Sequence, residues 1–149
     1  MIIIEGKPSE IQVAEINEIR RQIADIPNSV LKRYEPMSVD NWNYVKACFF
    51  YKEDSLLGYS ALRWRPFSKV RDEIELDVFV MPKYQKSGIG QSLIRRLLVE
   101  AKSIKTVKSV VIMVKAELNL TDYYRQFGFK SCSEGNNSHL MMKYNLERI

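Results

Sequence analysis

The stretch Glu73-Ile74-Glu75-Leu76-Asp77-Val78-Phe79-Val80-Met81-Pro82-Lys83-Tyr84-Gln85-Lys86-Ser87-Gly88-Ile89-Gly90 decides how the rest of the chain is read. Its first half alternates acidic and apolar residues, the period of a strand. Ile74, Leu76, Val78 and Val80 share one face, and Glu73, Glu75, Asp77 and Phe79 share the other. Met81-Pro82 ends that strand, because proline cannot donate to a ladder. Beyond the turn, Ile89, Leu93, Ile94, Leu97, Leu98 and Ala101 recur at three- and four-residue spacing and predict an amphipathic helix. Glycines at a helix start let the backbone approach a ligand closely. The bare N–H groups and the helix dipole there attract anions. Lys83 and Lys86 add positive charge, so the stretch predicts an anion cradle entered from a strand.

The turn contains neither Gly-x-x-x-x-Gly-Lys-Ser/Thr nor Gly-x-Gly-x-x-Gly, which argues against nucleoside triphosphate and dinucleotide sites. Gln85-x-x-Gly88-x-Gly90, led by Val80-x-Pro82, instead resembles the acetyl-coenzyme A signature of the GNAT superfamily of N-acetyltransferases. Further along, Asn119-Leu120-Thr121-Asp122-Tyr123-Tyr124-Arg125-Gln126-Phe127-Gly128-Phe129 resembles that family's second signature, Asn…Tyr-x-x-x-Gly-Phe. The resemblance covers nearly the whole chain, the first 44 residues matching only in type.

It implies that Gln85, Lys86, Ser87, Gly88, Ile89 and Gly90 hold the cofactor's pyrophosphate, and that strand amides near Phe79 and Val80 hold its acyl carbonyl. It also implies that Asn119 contacts the pantetheine or adenosine part and that Tyr124 is the general acid. A bulge commonly splays the family's signature strand from its parallel neighbour to admit the pantetheine arm. Each position also has a plainer reading: a strand–turn–helix crossover for the cradle, a helix cap for Asn119, a packing residue for Tyr124 and core for Tyr123.

The remaining elements follow from local patterns. Met1–Glu5 is β-branched enough for a strand, and Ser9 with Gln12 forms a capping box for a helix with Ile16, Ile19, Ile23 and Ile26 on one face. Residues 28–43 suggest a short helix or turn joined to a loop. There Tyr34, Trp42 and Tyr44 either line an acceptor pocket or cover the edge of the core. Val45–Lys52 and Leu56–Trp64 read as a hairpin turning at Glu53-Asp54-Ser55. Lys108–Lys115 is a nearly continuous apolar strand of the kind covered on both faces. Phe129–Glu134 and Leu140–Leu146 complete the set. The expected architecture is α/β: a GNAT-like mixed central sheet of about seven strands with about four helices, and a splayed parallel pair forming the cofactor cleft.

The 149 residues, 46% hydrophobic and 28% charged, suit one globular domain spanning residues 1–149. No apolar run reaches the length of a membrane helix, and the N-terminus has no secretory pattern. Cys48 and Cys132 lack metal spacing and suggest reduced thiols in the cytoplasm. His139, the only histidine, reads as a strand-start surface residue, so no metal is expected. The net charge of +5 suits an anionic cofactor. No nucleic-acid motif accompanies it, and a homodimer is left open.

Acyl transfer to an amine requires removing a proton from an ammonium of pKa ~10.4, stabilising an oxyanion, and protonating or otherwise stabilising a thiolate. Tyr124 can serve the thiolate. For the base the choice is Glu75, since Glu73, Glu75 and Asp77 cluster on a strand expected to be central. These acids suggest a cationic amine acceptor, whereas Arg63, Arg65, Lys69 and Arg71 suit an acidic one. The expected activity is acetyl-coenzyme A-dependent N-acetylation of a primary amine by direct transfer in a ternary complex. The alternative is a non-catalytic acyl-coenzyme A sensor or regulatory module.

Overall fold

The alternation of Glu73–Val80 places that strand in the middle of a seven-stranded sheet. The computed structural model describes all residues except 28, 30, 32, 66–70, 116, 117, 119, 133–138 and 147–149. The strands are β1 (Ile2–Glu5), β2 (Tyr44–Lys52), β3 (Ser55–Trp64), β4 (Glu73–Val80), β5 (Ser109–Lys115), β6 (Lys130–Ser131) and β7 (His139–Asn145). Their order is β1-β2-β3-β4-β5-β7-β6. Every neighbouring pair is antiparallel except β4 and β5, which run parallel.

Two helices cover opposite faces of the sheet. Helix α1 (Glu10–Ala24) starts at the expected capping box: the Ser9 amide donates to Gln12 Oε1 at 2.8 Å, and the Gln12 amide donates to Ser9 Oγ at 3.1 Å. It buries Ile16, Ile19 and Ile23 against Phe49, Tyr59 and Ala61. Pro27 disfavours helical backbone at the residue before it, so α1 ends at Ala24 with Asp25 as its cap. Ile26, expected on the apolar face, therefore stands 39% exposed. Helix α2 (Ile89–Ala101) packs Leu93, Ile94 and Leu97 against Leu62, Ile74 and Leu76 on the other face. Fully burying each such side chain contributes about 1.5–3 kcal/mol.

With the five-residue α3 (Thr121–Arg125) and a 3₁₀ turn at Pro82–Tyr84, the described residues hold three α-helices where about four were expected. The difference lies in residues 28–43, whose described members form no helix. Segment 35–37 is instead strapped to α1 by side chains. Asn17 exchanges two hydrogen bonds with the Met37 backbone, and Arg20 Nε donates to the Glu35 carbonyl. Trp42 and Tyr44 lie buried beneath α1, stacked edge to face at 4.9 Å.

Lys46 on β2 ties the sheet edge to α2. Its Nζ reaches Glu100 at 3.2 Å and Glu5 at 3.1 Å, and Arg96 pairs with the same Glu100 at 3.2 Å. Partial burial pushes the Glu100 carboxyl up, but the hydrogen bonds from Lys46 and Arg96 outweigh this and hold it below its ordinary 4.5. A depressed folded-state pKa contributes stability that is present above the unfolded value and lost as pH falls through the folded one. Thermal melts between pH 6 and 3 are therefore expected to show stability falling below about pH 4.5, less steeply in Glu100→Gln. Equal slopes for the two proteins would remove this network from the account.

Among the described residues no helix is long and apolar enough to cross a membrane, and no three His, Cys, Asp or Glu side chains group to hold a metal.

Candidate functional site

The site begins where the sheet opens. β4 and β5 pair only from Glu73↔Ser109 to Glu75↔Val111. β4 continues to Val80 while β5 stays paired with β7 as far as Lys115↔His139. The strands thus part after Glu75. The β3–β4 register is unbroken from Gly58↔Val80 to Trp64↔Ile74, so divergence of the parallel pair makes the opening without a bulge in that ladder. The hydrogen-bond phase identifies which amides face it. Met81 N–H donates to the Leu57 carbonyl at 2.8 Å, which directs the odd-numbered amides of β4 toward β3. The Phe79 amide therefore belongs to the β3 ladder, and the N–H groups of Val78 and Val80 face the opening.

The turn after β4 is shaped by two residues in left-handed backbone, Lys86 at φ 64° and Gly88 at φ 90°. Glycine adopts this region freely, and lysine does so only at a cost. Gln85 Nε2 donates to the Val80 carbonyl at 3.2 Å, and Ser87 Oγ donates to the Tyr84 carbonyl, so both side chains brace the turn. Gly88 caps α2 without a side-chain acceptor, and the first helical bond runs from Ser92 N–H to the Gly88 carbonyl at 3.1 Å. The N–H groups of Ile89, Gly90 and Gln91 precede that bond and present the positive helix end. At Gly90 an added Cβ would lie 3.3 Å from the Tyr123 hydroxyl, so the missing side chain keeps the passage open.

Opening and turn bound one cleft of about 750 Å³, a common size for a ligand site. Val78, Val80, Lys86, Gly88 and Gly90 line it, and Tyr124 stands across from them. Tyr124 belongs to α3, with its ring packed edge to face on Tyr123 at 5.1 Å and Phe129 at 6.2 Å. Burial first, then the neighbouring Tyr123 and Asp77, pushes the Tyr124 phenol well above its ordinary value. It therefore stays protonated at any working pH and is a hydrogen-bond donor to whatever enters. Asn119 lies outside the described residues.

The acidic face of β4 has a different setting from the one its sequence suggests. Glu75 is 6% exposed, and its Oε2 is gripped by Arg63 Nε at 2.7 Å and Nη2 at 2.6 Å. Arg63 is its direct partner across β3. Glu73 pairs with Lys143 at 2.8 Å and with Arg65 at 3.9 Å. Asp77 accepts from the Tyr44 hydroxyl at 2.8 Å and lies 3.6 Å from Arg63. None of these acids lines the cleft. The structure therefore brings together the turn, Val80 and Tyr124, and it leaves Glu75 inside a sheet-face ion pair. Of the acceptor-pocket candidates, Tyr34, Trp42 and Tyr44 are likewise absent from the lining. The end of α1, at Ile23, Ile26 and Pro27, forms that wall instead. Sequence reasoning missed these residues; the proline that stops the helix was their local signal.

The resemblance read from the two motifs agrees with independent comparisons. No curated protein sequence matches the chain. Solved structures with the same fold include a ribosomal-protein-alanine N-acetyltransferase from Brucella melitensis (20% identity, 98% of this chain and 100% of that one, TM-score 0.75). Another is an N-acetyltransferase from Staphylococcus aureus Mu50 (20% identity, 99% and 100%, TM-score 0.76). A third is yncA, a putative acetyltransferase from Salmonella typhimurium with its cofactor acetyl-CoA (21% identity, 100% and 95%, TM-score 0.75). At such identities the likeness concerns the fold. The family model of the acetyltransferase (GNAT) domain matches residues 45–131, more than half of the sequence and all of β3, β4 and α2. The chain belongs to the GNAT acetyltransferase family.

Proposed function

We propose that the protein transfers an acetyl group from acetyl-coenzyme A to a primary amine, directly and within a ternary complex. One observation carries this reading: the opening between β4 and β5 runs straight into the uncapped N-terminus of α2. An apolar gap that ends at open N–H groups fits a ligand with a thin, amide-bearing arm and a charged phosphate end. The missing Cβ at Gly90 and the left-handed Lys86 and Gly88 suit the same ligand.

Bound there, acetyl-coenzyme A would supply an activated thioester. In this reading the N–H groups at the start of α2, with Lys86, hold its pyrophosphate. The Val80 N–H faces the acyl carbonyl and favours negative charge developing on its oxygen. Tyr124 donates to the leaving sulfur. Neither Cys48, buried on β2, nor Cys132, on the strand edge, lines the cleft, which supports direct transfer over a cysteine-bound acyl group. Among the described residues no carboxylate lines the cleft, and the amine's proton passes to solvent at its mouth. The reaction belongs to one domain, residues 1–149, since every described strand joins the same sheet.

Calorimetric titration with acetyl-coenzyme A tests the donor half. Binding is expected, with affinity at least tenfold weaker in Gly90→Val, whose side chain would project toward Tyr123 and Val80. No binding heat and no thermal stabilisation of the wild-type protein would refute the proposal.

A further inference from the structure

The cleft crosses the sheet, and its two ends differ in chemistry. The end beneath α2 holds the turn and Tyr124. The other opens beside α1, bounded by Ile23, Ile26, Pro27 and the ring of Phe79. If the donor lies at the α2 end, as the proposed function has it, the acceptor enters between α1 and Phe79. This entrance is largely apolar, no carboxylate lines it among the described residues, and a cation stands against the Phe79 ring. The Arg20 guanidinium sits 5.3 Å from the centre of the Phe79 ring, held by the Glu35 carbonyl at 3.3 Å and the Tyr59 hydroxyl at 3.3 Å.

The acids that would recommend a polycation are already answered: Glu75 by Arg63, Glu73 by Lys143 and Arg65, and Asp77 by the Tyr44 hydroxyl beside Arg63. A ring already engaged by one guanidinium is a poor cation–π partner for a second cation. A like charge held in a partly buried site is weakly screened and repels further positive charge.

We propose that the acceptor is a monoamine with an apolar or aromatic body, which packs between Phe79 and the end of α1, and that polycationic amines are disfavoured. The inference rests on the acetyltransferase reading and assigns the second substrate's class. Ile26 is a specificity residue in it, since its side chain stands exposed on the lip of the cleft. Arg20 is a charge filter.

The test measures coenzyme A thiol release from acetyl-coenzyme A with 2-phenylethylamine and tryptamine on one side and spermidine and kanamycin on the other. The arylalkylamines are expected to have kcat/KM at least tenfold higher, the effect of roughly one charge–charge repulsion in a partly screened site. Arg20→Met is expected to raise spermidine turnover roughly tenfold relative to 2-phenylethylamine. Ile26→Arg, at an exposed position that should not disturb folding, is expected to lower kcat/KM for the arylalkylamines about tenfold with acetyl-coenzyme A affinity unchanged by calorimetry. A wild-type preference for spermidine or kanamycin overturns the inference. So does unchanged arylalkylamine turnover in Ile26→Arg, or release with neither class while acetyl-coenzyme A still binds. Failure to bind acetyl-coenzyme A overturns the acetyltransferase reading itself, so the two failures are distinguishable.

Discussion

Tyr124→Phe is expected to lower turnover by about 10²–10⁴-fold, the usual contribution of a positioned proton donor, while acetyl-coenzyme A affinity stays near that of the wild type. The ring remains in this variant, so its edge-to-face packing on Tyr123 and Phe129 is kept and the fold has no reason to change. Only the hydroxyl is lost, and in the wild-type protein it has no hydrogen-bond partner among the described residues. Because burial and the nearby Tyr123 and Asp77 raise the phenol's pKa, Tyr124 should not ionise within the working range. The wild-type pH–rate profile is therefore expected to lack a descending limb from this group up to about pH 9. In the proposed mechanism its action on sulfur would be hydrogen-bond donation completed by proton transfer as the carbon–sulfur bond breaks. Steady-state kinetics with any active amine, alongside calorimetry, decides the matter. Undiminished turnover in Tyr124→Phe would remove the acid role, and a parallel collapse of affinity would recast the residue as a binding group.

Gly58→Val is expected to destabilise the protein by about 3 kcal/mol or more, at the upper end for overpacking a core position. Gly58 lies opposite Val80, where the sheet begins to open. A Cβ there would sit 3.0 Å from the Phe79 carbonyl, 3.2 Å from Leu93 Cδ1 and 3.3 Å from Ile89 Cγ2. The first contact is with backbone of the adjacent strand, which cannot give without shifting the ladder, and the other two are with side-chain methyls of α2 packed in the core. The two methyl groups of valine add to the overlap, and the melting temperature should fall by roughly 10 °C for a chain of this length. Relief can come only if β3 moves from β4 or α2 lifts from the sheet. Either movement displaces Val80 from the turn, and weaker acetyl-coenzyme A binding is expected together with the lower melting temperature. A wild-type melting temperature would contradict this close approach of backbone and helix.

Leu57-Gly58-Tyr59 illustrates how much of the site was legible. The glycine itself is plain in the sequence just after the hairpin turn, and the reason for it, a strand and a helix converging on the same point, is a tertiary fact. The strand, turn and helix around it were legible because all their parts are local: strand alternation to Val80, Pro82 as a stop, glycine at a helix start, and apolar spacing from Ile89 to Ala101. Tyr124 was legible for the same reason, standing four residues before Gly128. Gly128 does adopt left-handed backbone, at φ 101°.

The setting of the acidic face of β4 was not legible because its partners are distant in sequence. Arg63 opposes Glu75 through the β3–β4 register, and Lys143 arrives from the last strand. Alternation shows that three acids share a face and says nothing about which cations stand beside them. Trp42 and Tyr44 carry the same lesson, since an aromatic pair outside a periodic segment is a wall or a core according to where a helix lands.

The amino-acid sequence by itself determined the strands, the two long helices, the glycine-bearing turn and the family, because periodicity, capping and turn chemistry depend on neighbours along the chain. The tertiary structure alone decided that β4 and β5 part after Glu75 without a bulge, that Val78 and Val80 present their amides to the gap, and that Arg63 occupies Glu75. It also decided that the cleft reaches the end of α1 and Phe79, whose ring faces the Arg20 guanidinium. Each of these depends on strand register and on which faces meet, quantities set by the whole sheet.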